Sequence, residues 1–65
     1  MVTLIPGYYR SGHQFRPVVR VMKDGRLVGS KSVRRLYDNA SDARAIALSA
    51  ALHVANANPD FIRVT

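Results

Sequence analysis

Two alternating runs meet at Asp24-Gly25 in the stretch FRPVVRVMKDGRLVGSK, residues 15 to 31. An Asp-Gly pair between β-type runs is a strong hairpin signal. Two loops fit it. A two-residue loop sets Val21 opposite Val28 and Val19 opposite Ser30. A three-residue loop with Gly25 in the left-handed region sets Val21 opposite Leu27 and Val19 opposite Gly29. The second is the expected register, because it gathers Phe15, Pro17, Val19, Val21, Leu27 and Val33 on one face. The other face then holds Arg16, Val18, Arg20, Met22, Val28, Ser30, Ser32 and Arg34. A slip of one residue would reverse the two faces, since side chains alternate with period 2.

Upstream, Tyr8-Tyr9-Arg10 followed by Ser11-Gly12-His13 reads as a strand and a turn. In that hairpin Pro6 and Pro17 lie near the same end of the ladder. Neither has an amide hydrogen, so pairing should stop at both. The expected sheet is three antiparallel strands at about 3–10, 14–22 and 26–36, with a bulge at Gly29 and a bend near Arg34-Arg35.

The period then changes. YDNASDARAIALSAALHVANANP is rich in alanine, the best helix former, and reads as one helix over about 40–57. Asn39 or Ser41 is the expected N-cap, and Asp38 and Asp42 suit the positive end. Asn58-Pro59 ends the helix, because the residue before proline is pushed out of the helical region. At ~1.5 Å per residue the rod is roughly 24 Å long, enough to cross three strands. The fold class is therefore α+β: one domain over residues 1–65, a three-stranded sheet backed by a helix.

The apolar girth of that helix is unusually wide. Asp42, Ser49, His53 and Asn56 form a narrow polar arc, with Ala43, Ile46, Ala47, Ala50 and Val54 on one side of it. Leu48, Leu52 and Ala55 lie on the other. A surface helix needs an apolar stripe of little more than 100°. Leu48 and Leu52 thus call for separate cover, from Phe61, Ile62 and Val64 of the 58–65 tail or from a second copy. Leu48 and Leu52, with Val18, Met22 and Val28 of the sheet, are the candidate interface residues for a homodimer or a protein partner.

Charge is segregated along the chain. Residues 10 to 35 hold eight cations against Asp24 alone, a net +7, while the remainder is −1 and the whole chain +6. Charge concentrated in this way favours an anionic partner. Arginine suits bidentate contact with phosphate or guanine, and a two-stranded ribbon fits the DNA major groove. The candidate nucleic-acid contacts are Arg10, Arg16, Arg20, Arg26, Lys31, Arg34 and Arg35, with Tyr8 available to stack on a base. Arg10, Arg16, Arg20, Arg34 and Tyr8 are expected on the side away from the helix.

Other chemistries find little support. The four acids are scattered, and His13 and His53 lack metal-site spacing. There is no glycine-rich phosphate loop and no cysteine. No catalytic residue, metal ligand or cofactor is expected. No apolar run approaches the ~18 residues that span a bilayer. MVTLIPGYYR has no charged segment ahead of its apolar residues, so no signal peptide is expected and the cytoplasm is the expected location.

The strand order followed by YDNASDARAIALSAA resembles the AP2-type domains, which have three strands and a helix. Leu36, Ser41, Ala43, Ala47 and Ala50 stand in places similar to that family's strand-to-helix pattern, and the likeness spans about residues 8 to 55. Members, including the arm-binding domains of phage integrases, bind DNA with the sheet face. The resemblance implies DNA contacts at Arg16, Arg20 and Arg34. The expected function is nucleic-acid binding through the exposed sheet face, without enzymatic activity. The alternatives are an interaction module or homodimer, and a small adaptor or inhibitor that blocks an acidic partner.

Overall fold

The computed structural model describes all 65 residues. Four strands and one helix follow in the order β1 (Val2–Ser11), β2 (Gln14–Lys23), β3 (Arg26–Ser32), α1 (Ala40–Ala57) and β4 (Ile62–Val64). The sheet runs β3-β2-β1-β4. β2 is antiparallel to both β1 and β3, whereas β4 is parallel to β1. The α+β class and the helix bounds are as expected. The sheet is not: it has four strands and is mixed. The tail supplies the fourth strand, and its Ile62 and Val64 also pack on the cluster that holds Ala47 and Ala51 of the helix.

Both hairpins turn in two residues. Ser11 pairs with Gln14 across Gly12-His13, and Lys23 pairs with Arg26 across Asp24-Gly25. Asp24 (φ 51) and Gly25 (φ 78) are both left-handed, the backbone a type I′ turn needs. The three-residue loop is therefore corrected. Beyond the turn the register shifts by one between Val21 and Met22, so Val21 opposes Gly29 while Met22 opposes Leu27. Val28 is the extra residue of a bulge. Leu27 consequently leaves the helix side for the Met22 side, and Lys31, opposite Val19, joins the helix side.

The two prolines do not stop the β1–β2 ladder, which runs through Pro6 opposite Val19 and Tyr8 opposite Pro17 to Ser11 opposite Gln14; they limit pairing only on the outer flanks. The Val33 amide donates to the Pro17 carbonyl at 3.0 Å, so the backbone of Pro17 faces β3. Pro17 has no hydrogen to return, and β3 stops at Ser32. On the other flank, Thr65 donates to the Leu4 carbonyl. By alternation Pro6 faces the same edge one step further on, where β4 has ended. Past β3 the chain bends at Arg34, as expected near Arg34-Arg35, and returns to the ladder at Tyr37, which exchanges two backbone bonds with Phe15.

Helix α1 is capped by Asn39, whose Oδ1 accepts the Asp42 amide at 2.8 Å. Ser41 assists by donating its hydroxyl to the same oxygen. The Asn58 amide closes the other end on the Ala55 carbonyl. The buried stripe is Ala43, Ala47, Ala51 and Ala55, with no larger side chain in it. That lets the helix lie close to β1 and β2, where Ala47 and Ala51 meet Leu4 and Val19. Val2, Val21, Ile62 and Val64 complete this cluster. Only eight residues are buried, so the core is small even for a chain of this length.

Candidate nucleic-acid interface

Opposed residues of antiparallel strands share a face. With Leu4, Val19 and Val21 against the helix, the outer face carries Thr3, Ile5, Gly7 and Tyr9 from β1. It carries Arg16, Val18, Arg20 and Met22 from β2, and Leu27, Ser30 and Ser32 from β3. Arg16 and Arg20 are therefore on the expected side. Tyr8 and Arg10 are not. Tyr8 opposes Pro17 and Arg10 opposes Phe15, which places both on the helix side. Tyr8 meets the Phe15 ring edge-on at 5.5 Å between centroids. The outer-face aromatic is Tyr9, opposite Arg16 and 43% exposed. The two-residue turn at Gly12-His13 is the signal that would have revealed it.

The arginines differ in how free they are. Arg16 is half-buried and donates from Nη1 to the carbonyls of Val33 at 3.1 Å and Arg34 at 2.9 Å. It braces the 33–36 segment. Arg10 is bonded through Nε to the Gly12 carbonyl. Arg35 holds its guanidinium 5.2 Å from the centre of the Tyr37 ring, a cation–π contact that leaves its hydrogens free. Arg20 and Arg34 are exposed and their guanidiniums donate to no protein group, and the Arg20 guanidinium reaches back across Gly7. Arg26 stands beside the Asp24-Gly25 turn, and Lys31 faces the helix side. Of the candidate cations, Arg16 and Arg20 share the outer face and the Arg34 backbone is tied to Arg16, whereas Arg35 lies over Tyr37, which opposes Phe15 on the helix side, and Arg10, Arg26 and Lys31 lie elsewhere.

No arginine or lysine makes a salt bridge; the one ion pair joins the terminal amine to Asp24 at 3.9 Å. The cationic field is therefore not neutralised from within.

The candidate interface residues separate as well. Val18 is buried, at 5% exposure, and Val28 stands on the bulge at 60%. Together with Met22 they do not present one patch. Leu48 and Leu52 remain exposed, at 42% and 44%, because Ile62 and Val64 belong to the sheet and core. Phe61 covers neither well, being 71% exposed itself. No helix is long and apolar enough to cross a membrane.

Compared with known proteins, the chain matches no family model, no curated protein and no solved structure.

Proposed function

We propose that this chain is a small nucleic-acid-binding domain that acts by binding alone, in the cytoplasm. Its contact surface is the outer sheet face around Arg20, extended by Arg34. The observation that carries this reading is the cationic stretch from Arg10 to Arg35, which lacks any carboxylate partner to its arginines and lysines. Ser30 and Ser32 add small hydrogen-bonding side chains beside Arg20 and Val18, and Tyr9 offers a stacking surface. Arg16 serves here as a brace that holds Arg34 in place. The likeness to AP2-type domains points the same way.

The test is titration with labelled duplex DNA, single-stranded DNA and RNA at two salt concentrations. Arg20→Ala should weaken binding. It should also lower the salt slope by about 0.9 on duplex DNA, or about 0.7 on a single strand, for each phosphate the variant no longer neutralises. Arg34→Ala should behave alike. Binding and slope equal to the parent in both would overturn the assignment.

A second reading rests on Leu48 and Leu52, which remain 42% and 44% exposed on one helix face. In it the helix face joins two copies. Sedimentation of the parent and of Leu48→Glu decides it: a dimer that the substitution dissolves supports this reading, and a monomer at high concentration removes it.

A further inference from the structure

Strand β3 is an open edge. It pairs with β2 only, all seven of its residues are exposed, and the helix does not touch it. Between β3 and the helix runs an apolar groove of about 670 Å³, lined by Val19, Val21, Val33, Ile46, Ala50 and Val54 among others. Lys31 borders it.

The free backbone groups of this edge follow from one hydrogen bond. Val33 donates to Pro17, so that pair is of the hydrogen-bonded kind. Alternation makes Lys31 opposite Val19 and Gly29 opposite Val21 the next such pairs. The amides and carbonyls of Ser30 and Ser32 therefore point outward with no strand to meet them. An incoming strand would bond there, and every second side chain would enter the groove.

The charge decides what that strand is. Arg26 and Lys31 lie on β3, Lys23 and Arg34 flank it, and no carboxylate pairs with any of them. A second copy is a poor fit. Two-fold pairing centred on Lys31 sets that lysine against itself, and in any register two edges that carry Arg26 and Lys31 and no carboxylate are brought together. Like charges directly opposite are destabilising. Phosphate has no use for an apolar groove. We infer that the β3 edge takes an extended acidic segment of a partner protein by strand addition, whose groove-side positions carry apolar residues for the groove and carboxylates for Lys31 and Arg26, which stand on that same side. The groove is on the helix side of the sheet, opposite the face proposed for nucleic acid, and the two share only β3 itself.

The probe is a short labelled peptide with serine at every second position and valine and glutamate taking turns between them, compared with one carrying lysine for glutamate and one carrying serine for valine. The first should bind, with the amide signals of Ser30 and Ser32 shifting most. Ser30→Pro removes one outward amide and places a ring in the partner's path, while leaving the β2–β3 bonds intact. It should weaken binding by about tenfold or more, as loss of one hydrogen bond plus a clash implies. Val54→Asp, on an exposed position of the groove, should do the same. Arg20→Ala should not affect the peptide, and Val54→Asp should not affect nucleic acid, so the two readings fail separately. Absence of binding, equal binding of the lysine peptide, or binding indifferent to both Ser30→Pro and Val54→Asp overturns the inference. So does a dimer that Ser30→Pro dissolves.

Discussion

Arg16 supplies the hydrogen that Pro17 lacks. In a regular antiparallel pair Pro17 would donate to the Val33 carbonyl in exchange for the Val33 amide; instead Arg16 Nη1 reaches that carbonyl at 3.1 Å. The same nitrogen holds the Arg34 carbonyl at 2.9 Å. One side chain thus closes the ladder where β3 ends. Hydrogen bonds to a charged donor are worth about 1.5–3 kcal/mol when buried. With Arg16 half in solvent, Arg16→Ala should cost about 1–2 kcal/mol in urea denaturation. Pro17→Val restores an amide donor, so Arg16→Ala should cost less in that background. A double-mutant cycle with coupling near zero would sink the account.

Gly7 carries the Arg20 guanidinium above it. A Cβ at Gly7 would stand 3.4 Å from Arg20 Nη1, an ordinary contact with the mobile end of a long side chain. Glycine within a strand costs roughly 0.5–1 kcal/mol in backbone entropy relative to alanine. Gly7→Ala should therefore leave thermal stability unchanged or raise it. A clear loss would mean that Arg20 is fixed in place more tightly than its exposure indicates.

Much of this was legible because it is local. Asn39 and Asn58-Pro59 bound the helix by capping chemistry alone, and the Asp24-Gly25 turn announces its hairpin. What escaped was non-local. The bulge was expected at Gly29 but lies at Val28, because its place depends on how β3 meets β2 beyond the turn, which neither strand states by itself. Strand β4 is three residues long, and its parallel partner lies some sixty positions earlier. The faces of Tyr8 and Tyr9 hung on one turn length. Pairing Ser11 with Gln14 puts Tyr9 outside with Arg16, and any odd shift exchanges the two tyrosines. The basic composition was plain, but only the structure separates the bracing role of Arg16 from the free guanidinium of Arg20.

The Asn39 cap offers a sharper measurement. Its oxygen accepts the Asp42 amide, and its Nδ2 donates to the Asp42 carboxylate at 3.0 Å. Asn39→Ala should lose about 1 kcal/mol, whereas Asn39→Ser, which keeps the acceptor, should lose much less. Equal losses in guanidinium unfolding would mean that the oxygen is not what caps the helix.

The alanine stripe sets the distance between helix and sheet. Ala47 is fully buried and Ala51 is 1% exposed, both against Leu4 and Val19. Any added methyl group must push the helix outward. Ala51→Leu should therefore destabilise by about 1–3 kcal/mol or more, as overpacking does in tight cores. Its neighbour Leu52 points away and is 44% exposed. If the protein is monomeric, Leu52→Glu should change stability by no more than about 0.5 kcal/mol. The pair of substitutions, one residue apart, separates core from surface on the same turn. Should Leu52→Glu prove costly, and more costly at higher protein concentration, the helix face would be buried against a second copy, and the second functional reading would replace the first for that surface.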